Sequence, residues 1–365
     1  MVKKLILFCA RQYIKLRYRI KNDYMALCLA IDFYHDYKQR RESLFKIFAI
    51  HQRGFTVSDW RFLGLTKDNC KSYLSNVQYY RMHPLNGKYS YIIDDKLNLK
   101  KHCSGTELDK YMPRYFYRIT GDGTIEKLMD CPYSNDNPSA GDIATLLQEK
   151  GSLAIKQTSG SLGIGFYKGE YKNGSFYLND ERLNEQQFCK RIHGLKNYLI
   201  TEYLFPHKEL AEYCPYTCNC IRYLIGRVNG EMKLLKSYIR FGTEQSGFVE
   251  NYNSGGILCY LNDRGEFLEG NVIDYKSGLN RKINEHCDSK VKLSGTIPLW
   301  NEVELMREAF NEHMPQMNYL GIDVVITSDN QVKVLEINSL TSLDGLQLNG
   351  SILETEAGEF FRQYL

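Results

Sequence analysis

The sequence predicts an α+β fold with mostly antiparallel sheets, preceded by a mainly helical N-terminal region, residues 1–90. Three observations support this fold class. Apolar residues recur at spacings of three and four through about Ile50, which is typical of helices. From Thr120 onward, short runs rich in β-branched residues alternate with helical segments such as Ser139–Lys150, Asn184–Lys196 and Asn301–Met314. A chain of 365 residues is also long enough to bury a large core and to form subdomains.

The N-terminal region begins with basic residues. Seven of them precede the first acidic residue, Asp23, and they are interleaved with Leu, Ile and Tyr; they are Lys3, Lys4, Arg11, Lys15, Arg17, Arg19 and Lys21. One interpretation is a peripheral helix that contacts an anionic membrane. The other, which the sequence favours, is a basic solvated face on a packed helix, because charged helix faces are usually solvated. A turn at His83-Pro84 and Asn86-Gly87 predicts the boundary of this region near Asn86.

Composition restricts the class of partner and the location. The net charge of +4 is too small to indicate a nucleic-acid partner. No run of 18 apolar residues predicts a transmembrane helix, and Arg11 ends the first apolar stretch too early for a signal peptide. The eleven cysteines are scattered and odd in number, which fits a cytoplasmic location. Cys214, Cys218 and Cys220 cluster without a standard zinc spacing, so buried thiols are favoured over a zinc site.

The first candidate binding segment is a short strand followed by a glycine-rich loop. The strand, residues 151–156, ends at Lys156, and its loop contains five further candidates, Ser159, Gly160, Ser161, Gly163 and Gly165. Glycines allow backbone N–H groups to approach phosphate oxygens, and a lysine supplies positive charge. The loop matches neither a P-loop nor a dinucleotide fingerprint. A glycine-rich hairpin with an exposed lysine remains the alternative interpretation.

A second candidate segment is the predicted strand Asn197–Phe205, which is broken by Pro206. Backbone groups at the end of such a strand, at Glu202, Tyr203 and Leu204, can recognise the edge of an adenine ring. Any buried core strand has a similar composition, so this segment is informative only together with the others.

The third candidate is a hairpin of two apolar runs, residues 319–327 and 332–338. Pairing these runs would bring Asp323 close to Glu336 and Asn338, and strand alternation places Glu336 and Asn338 on one face. Carboxylate and amide oxygens suit a hard divalent cation that also binds phosphate oxygens. The pattern therefore predicts a Mg-nucleotide site, although acidic residues that face solvent from an amphipathic hairpin would give the same sequence.

The order of these three segments resembles the ATP-grasp superfamily, in which two α+β subdomains clasp ATP. The resemblance implies an ATP-grasp domain over residues 91–365, with a lid subdomain at about 120–200 and a metal-binding subdomain at about 201–365. It implies that Lys96 and Lys156 hold the phosphates of ATP, and that Asp323, Glu336 and Asn338 bind one or two Mg²⁺ ions, or Mn²⁺.

For the ribose hydroxyls the sequence offers Glu209 and Glu212 without choosing between them, and Glu209 is the candidate that we follow below.

Four further motifs, in order, give a narrower resemblance over most of the chain. They are Pro215–Arg222, Tyr238–Gly242, Val249–Ile257 and Gly295–Trp300. Together they resemble the sugar-transfer-associated ATP-grasp family, related to α-L-glutamate ligases. The resemblance implies an ATP-dependent carboxylate–amine ligase that forms an acyl phosphate, releases ADP and serves cell-surface polysaccharide synthesis. Its substrates would be an amino acid and a sugar or sugar acid, with a lipid-linked or nucleotide-linked sugar as a partner. A kinase that phosphorylates a hydroxyl group is the alternative.

The remaining candidates lie on these motifs. Arg222 and Arg240, on predicted strands, are the catalytic candidates, because a planar guanidinium group suits a carboxylate or a departing phosphate. Structural ion pairs are the alternative role for both. The residues expected to contact substrate are Asn219, Asn251, Ser254, Gly255 and Gly256. Related glutamate ligases carry an arginine just before the asparagine of this loop, where this chain has Glu250, so glutamate specificity is not implied.

Overall fold

The computed structural model describes residues 2–159, 165–247, 250, 252–274, 277 and 279–365. Within these ranges it confirms the predicted α+β class, because two seven-stranded sheets carry helices on their faces and follow a helical N-terminal region. Every strand pair formed by the described residues is antiparallel, as the sequence predicts. No helix in this part of the chain combines the length and hydrophobicity needed to cross a membrane.

The N-terminal region forms the helices α1 (Val2–Tyr18), α2 (Asp23–Gln39), α3 (Leu44–Gln52), α4 (Val57–Phe62) and α5 (Asn76–Met82). Local sequence explains where they begin. The side chain of Asn22 accepts hydrogen bonds from the first turn of α2, and Ser75 forms a reciprocal capping box with Gln78 at the start of α5. Helices α1 and α2 pack around a small apolar cluster that includes Ile14 and Leu29.

Two short helices then lead into the first sheet. They are α6 (Ser90–Asp94) and α7 (Lys96–Cys103). The sheet has the order β2-β1-β7-β3-β4-β5-β6. Its elements are β1 (Tyr115–Ile119), β2 (Ile125–Lys127), α8 (Ala140–Lys150), β3 (Ser152–Gln157), β4 (Tyr167–Lys172), β5 (Ser175–Leu178), β6 (Glu181–Leu183), α9 (Glu185–His193) and β7 (Tyr198–Glu202). Ser139 and Asn184 cap α8 and α9 as capping-box residues, which confirms both predicted helices to within three residues.

The second sheet has the order β13-β12-β10-β9-β8-β15-β16, beside a small pair, β11-β14. The remaining elements are α10 (Lys208–Ala211), β8 (Ile221–Val228), β9 (Glu231–Phe241), β10 (Ile257–Tyr260), β11 (Glu266–Phe267), β12 (Gly270–Asp274), β13 (Leu279–Ile283), β14 (Gly295–Thr296), α11 (Trp300–His313), β15 (Tyr319–Ile326), β16 (Val332–Asn338), α12 (Asp344–Gln347) and α13 (Gly358–Arg362). Helix α11 confirms the third predicted helix, one residue earlier at each end.

The second sheet is buried on both faces. On one face α11 contributes Val303 and Phe310 to a large apolar core. On the other face the N-terminal helices and the C-terminal α13 pack together, with Ile50 and Phe360 in one cluster. The N-terminal region therefore shares a core with the second sheet and does not form a separate unit.

Asn86 lies where the chain leaves the N-terminal region, and its side chain attaches this segment to the start of β15. Its side-chain oxygen accepts hydrogen bonds from the N–H groups of Asn318 (2.8 Å) and Tyr319 (2.9 Å). Its amide donates to the carbonyl oxygen of Tyr319 at 2.7 Å. Asn86 is buried, so these bonds form away from water and hold the segment that leads to α7 beside β15 and β16.

Candidate active site

The predicted hairpin of Asp323, Glu336 and Asn338 is present. Strands β15 and β16 pair antiparallel, and Asp323 lies directly opposite Glu336. The Asn338 side-chain amide lies 3.4 Å from Oε1 of Glu336, so these two side chains share one face, as alternation predicts. The turn between the strands contains Asn330 with a positive φ of 59°, a conformation that asparagine tolerates. The hairpin thus brings two carboxylates and an amide to one end of the second sheet.

Asp323 is held by two buried arginines from the neighbouring strands. Arg222 Nε donates to Oδ1 at 2.6 Å and its Nη2 to Oδ2 at 3.2 Å. Arg240 Nη2 lies 3.2 Å from Oδ2. Burial alone would lower the pKa of each guanidinium, but the Asp323 carboxylate raises it above the usual value. The ion pair, which the sequence left as the alternative role of Arg222 and Arg240, is therefore observed.

The oxygen atoms of Asp323, Glu336 and Asn338 fit Mg²⁺, but they are not equally available to it. A carboxylate offers about four lone-pair sites, and the two arginines use three of those of Asp323. Asp323 can therefore give a metal ion one further contact. Glu336 retains more acceptor capacity, and Asn338 donates its amide N–H to Glu336, which leaves the Asn338 side-chain oxygen for a metal ion. Two carboxylates and an amide are oxygen donors of the kind that Mg²⁺ prefers, with Glu336 and Asn338 as the more available ligands.

Lys96 is the first residue of α7, and it lies next to the predicted metal ligands. Its Nζ is 2.9 Å from Oε2 of Glu336. Two nearby hydrogen bonds hold these segments together: Asp94, just before α7, accepts from the N–H (2.9 Å) and the hydroxyl (2.7 Å) of Ser339, just after β16. Burial raises the pKa of Glu336, but Lys96 and Arg222 lower it more, so that its net shift is downward. The carboxylate is thus kept ionised.

Lys156 approaches the same carboxylate from the first sheet, at the end of β3. Burial and the charge of Lys96 lower the pKa of Lys156 to about 8, while Glu336 opposes this shift. The ammonium group lies 5.5 Å from the centre of the Tyr115 ring. Two lysines from different parts of the fold therefore face one carboxylate, and a phosphate group would relieve their mutual repulsion.

Tyr115 lies beside Lys156 in the candidate site, and sequence reasoning did not identify it. It lies on β1, is fully buried, and its hydroxyl has no hydrogen-bond partner among the described residues. Lys100, itself paired with Asp109 and Asp130, stands 6.0 Å from the ring. Burial raises the pKa of the Tyr115 hydroxyl, so it is a neutral donor at ordinary pH. The residues next to Tyr115 in the sequence do not indicate a binding role, because Lys100 and Lys156, which lie near its ring, come from other segments.

The predicted adenine-binding segment follows β7. The N–H of Glu202 donates to the carbonyl oxygen of Arg114 at 2.9 Å. The carbonyl oxygen of Glu202 accepts from the Thr201 hydroxyl at 3.3 Å and has a second lone pair that it can offer an adenine. For the N–H of Leu204 no partner is found among the described residues, and the residue is buried. Lys168 of β4 stands 4.9 Å from the ring of Tyr203 and 5.6 Å from that of Phe205. The segment thus has the acceptor and donor that an adenine edge requires.

A cavity of about 490 Å³ adjoins Lys96 and the metal-ligand candidates. Lys96, Glu336 and Asn338 line one side, and Asn22, Tyr24 and Met25 at the start of α2 line another. The volume lies within the range of roughly 300–1,000 Å³ that is usual for small-molecule sites. The N-terminal region therefore supplies part of the wall of a cavity beside the predicted nucleotide phosphates.

The other predicted binding residues lie in varied surroundings. Gly160, Ser161, Gly163 and Asn251 fall outside the described residues. Ser159 lines the cavity. Gly165 has a φ of 73°, and a Cβ there would lie 2.7 Å from the Tyr198 hydroxyl, so only glycine fits without a shift.

Glu209 is exposed on α10, and Ser254 is also exposed. Gly255 packs against Gln245, and Gly256 is buried. Asn219 is fully buried, and its amide donates to the carbonyl oxygens of Leu210 (2.9 Å) and Cys214 (2.7 Å). These bonds favour a structural role for Asn219 over contact with a substrate.

The cysteine cluster next to Asn219 consists of free thiols. Cys214 accepts a hydrogen bond from the hydroxyl of Thr217 at 3.6 Å, and Cys218 donates to the carbonyl oxygen of Leu204 at 3.3 Å. Burial raises the pKa of Cys218 to about 12, so this thiol is neutral. These contacts are those expected of thiols packed inside the protein.

The fold and the two lysines that face a carboxylate hairpin define an ATP-grasp protein. The chain belongs to the sugar-transfer-associated ATP-grasp family, whose model matches residues 75–360. This membership confirms the resemblance found in the sequence. The matched residues begin immediately before α5 and exclude α1–α4, which precede them.

Solved structures of low identity resemble the chain. One is D-alanyl-alanine synthetase A from Vibrio cholerae, with a TM-score of 0.43 and 16% identity over 77% of this chain and 66% of that one. Another is an N5-carboxyaminoimidazole synthase from Aspergillus clavatus, with a TM-score of 0.34 and 9% identity over 68% and 44%. A third is the ATP-grasp ligase PsnB, with a TM-score of 0.38 and 12% identity over 76% and 62%. The chain thus spans less than two thirds of each of these structures, and no curated protein matches it.

Proposed function

We propose that the protein is an ATP-dependent ligase that joins a carboxylate to an amine through an acyl phosphate and releases ADP. The observation that carries this proposal is the approach of Lys96 and Lys156 to Glu336 beside the cavity. Membership of the ATP-grasp family supports the use of ATP. The association of the family with sugar transfer supports a sugar or sugar acid as one substrate. We further propose an amino acid as the other substrate and a cytoplasmic step of surface-polysaccharide synthesis as the role.

The nucleotide would lie between the two sheets. In this proposal the carbonyl oxygen of Glu202 and the N–H of Leu204 bind the adenine edge, and Glu209 remains the candidate for the ribose. Lys96 and Lys156 hold the phosphates, and the glycine loop, whose residues 160–164 lie outside the described ranges, is the candidate to cover the γ-phosphate. Mg²⁺, when bound by Glu336, Asn338 and Asp323, would neutralise phosphate charge. Phosphoryl transfer depends mainly on such positioning and fixed positive charge.

The reaction requires two displacements. A carboxylate oxygen of the first substrate attacks the γ-phosphorus, the bond to the ADP oxygen breaks, and an acyl phosphate forms. The amine nitrogen of the second substrate then attacks the acyl carbon, the bond to phosphate breaks, and the nitrogen loses a proton. A guanidinium group has five N–H donors, and Arg222 uses two of them on Asp323. We propose that the positive charge of Arg222 and Arg240 stabilises the acyl-phosphate oxygens.

Glu250 is positioned to receive the amine proton. Its carboxylate lies 3.9 Å from Arg240 Nη2 and is near Asp323 and Glu336. Burial raises the pKa of Glu250, against the opposing effect of Arg240, which makes it a stronger base than an exposed glutamate. A carboxylate at this position attracts a cationic amine and would repel a carboxylate substrate. This charge supports an amine-binding role for the segment that contains Glu250.

The ligase is tested by ADP release, with amino acids and sugar acids screened in pairs at saturating Mg-ATP. We expect a pair-dependent release of ADP and a hydroxamate when hydroxylamine replaces the amine. Lys156→Ala should abolish both signals, whereas Lys150→Ala, on the exposed end of α8, should leave them unchanged. Unchanged activity in Lys156→Ala would refute the site. A stable phosphoester in place of the hydroxamate would identify a kinase and refute the ligase.

A further inference from the structure

The outer side of the N-terminal helices carries an uncovered apolar surface. On α1, Leu5, Phe8 and Leu16 are 64%, 53% and 84% exposed, and Ile6 and Tyr13 are also exposed. On α3, Leu44, Phe45 and Phe48 are 56%, 89% and 55% exposed. We call these eight residues the N-terminal apolar face. Single exposed apolar residues are ordinary, but a concentration of this size on two helices indicates an interaction site.

Helix α1 is apolar on two opposite sides. Ile14 and Tyr18 are buried against α2. Leu5 and Leu16 are eleven residues apart, which is about three helical turns, so both lie on one stripe. Ile14 precedes Leu16 by two residues and therefore points to the other side of the helix. The exposed stripe is thus not required to pack α1 into the protein.

Helices α1 and α3 are in contact at their C-terminal ends. Arg17 lies one turn after Tyr13, and Gln52 lies one turn after Phe48. Arg17 Nη2 donates to the side-chain oxygen of Gln52 at 2.7 Å. The hydroxyl of Tyr18 donates to the carbonyl oxygen of His51 at 2.9 Å, which fixes the ends of the two helices together. The N-terminal apolar face therefore lies on two helices whose C-terminal ends are joined.

Positive charge surrounds this surface. Residues 1–53 contain twelve Lys and Arg residues but four Asp and Glu residues, a formal charge of +8, so the remainder of the chain carries −4. Asp36 is buried beside His51, and Asp32 accepts a hydrogen bond from Tyr80 within the protein. Lys4 and Arg17 are exposed, and the Arg11 guanidinium stands 5.3 Å from the centre of the Phe8 ring. The remaining two acidic residues, Asp23 and Glu42, pair with Lys15 at 2.8 Å and Lys46 at 3.0 Å, so the segment keeps an excess of positive charge.

We propose that the N-terminal apolar face docks on an anionic lipid surface, with α1 lying in the plane of the interface. The apolar side chains would enter the boundary of headgroups and acyl chains, and the flanking lysines and arginines would contact lipid phosphates. A second copy of the chain fits this face poorly, because the face lies in a segment of formal charge +8, and two such segments repel each other. The inference does not depend on the reaction that the protein catalyses.

The docked surface leads directly to the cavity. Helix α1 ends at Tyr18, and Asn22, which lines the cavity, follows four residues later. A lipid surface in contact with α1 would therefore stand close to the wall formed by Asn22, Tyr24 and Met25. This placement would suit a substrate carried on a lipid.

The test is co-sedimentation of the full chain with vesicles. We expect binding to vesicles of equal parts phosphatidylcholine and phosphatidylglycerol, weakened by salt, and little binding to phosphatidylcholine alone. Leu16→Glu and Phe45→Glu should each weaken binding about tenfold, because each removes one inserted apolar side chain. The matched controls Leu268→Glu and Leu305→Glu, which change exposed leucines of the second sheet region and α11, should bind as the unchanged protein does.

Circular dichroism would establish that the variants remain folded. Equal binding to neutral and anionic vesicles, or equal loss in the control variants, would overturn the proposal. A dimer in light scattering that Leu16→Glu dissociates, without lipid binding, would assign the face to a second copy instead.

Discussion

The Arg222 guanidinium and the Asp323 carboxylate form a two-point contact between adjacent strands, with distances of 2.6 Å and 3.2 Å. Their side chains are 10% and 7% exposed, so water screens the pair little. Arg240 adds a third contact to the same carboxylate. A predicted metal ligand is thus also the partner of two buried cations, and its replacement has a structural effect apart from catalysis.

Asp323→Asn should therefore destabilise the protein far more than Glu336→Gln. The first change leaves two buried guanidinium groups without their counter-ion, which costs about 3 kcal/mol or more. The second breaks the contact with Lys96, in which Glu336 is partly exposed, so water compensates more of its loss than it does at Asp323. Urea denaturation of both variants without nucleotide measures the difference. Equal free energies of unfolding would contradict the assigned role of Asp323.

Nucleotide affinity should weaken as the pH rises through about 8. The pKa of Lys156 is lowered to about 8 in the free protein, and a bound phosphate raises it again, so binding takes up a proton above this pH. Calorimetry of ADP binding in buffers of different ionisation enthalpy would show the uptake at pH 8.

Lys156→Arg is the matched variant, because a guanidinium group stays charged over this range. Its affinity should show no decline through pH 8. A decline of the same size in both proteins would contradict the assignment to Lys156.

Tyr115→Phe should leave the free protein as stable as before, or more stable by about 1 kcal/mol, because it removes a buried hydroxyl that has no partner among the described residues. If that hydroxyl donates to the nucleotide, ADP binding should weaken about tenfold. Tyr177→Phe, on β5, is the control at a half-buried tyrosine. Thermal unfolding with and without ADP separates the two effects, and unchanged ADP binding would remove Tyr115 from the site.

Because of the titration of Asp59, the free energy of unfolding should fall as the pH rises from 4 to 8. Burial, and then the charge of Asp344, raise the pKa of Asp59 from 3.8 to about 8, so the folded state binds a proton that the unfolded state releases. When the pKa of a group differs by one between the folded and unfolded states, the free energy of unfolding changes by about 1.4 kcal/mol. The stabilisation is complete below the unfolded value and is lost as the pH approaches 8.

Asp59→Asn keeps a neutral side chain that can accept the hydrogen bond from Asn76, which is 2.6 Å long in the protein. Unfolding of this variant should depend less on pH between 4 and 8. A pH dependence equal to or larger than that of the unchanged protein would contradict the raised pKa of Asp59.

Glu250→Gln should separate the two half-reactions of the proposed ligase. Formation of the acyl phosphate does not need a base for the amine, so hydroxamate formation should persist. Amide formation should slow by about 100-fold, which is typical of the loss of a general base. Glu244→Gln is the control at an exposed glutamate. Equal slowing of both steps would show that Glu250 acts on structure or on ATP binding.

The secondary structure around the site was predictable because its signals are local. The hairpin of Asp323 and Glu336 follows from β-branched runs around a polar turn, and the capped helices α8 and α9 follow from their capping boxes. Lys156 also lies where the strand pattern predicts, at the end of β3.

Contacts between distant segments were not predictable in the same way. The sequence near Asp323 does not predict that Arg222, 101 residues earlier, is its partner. The burial of the Tyr115 hydroxyl and the cavity wall at Tyr24 likewise depend on packing of separate elements. Strand and helix periodicity reports which face a residue occupies, but not which residue faces it.

The position of Asn22, Tyr24 and Met25 has a consequence for how such a molecule could be redesigned. These residues precede residue 75, where the family match begins, whereas Lys96 and Glu336 lie within it. Because the segment before residue 75 also shares a core with the second sheet, a graft that kept its buried residues and exchanged only the start of α2 would give the cavity a new wall and leave the two lysines and the carboxylate hairpin in place. Chimeras of this kind would change what the cavity accepts without rebuilding the chemistry beside it.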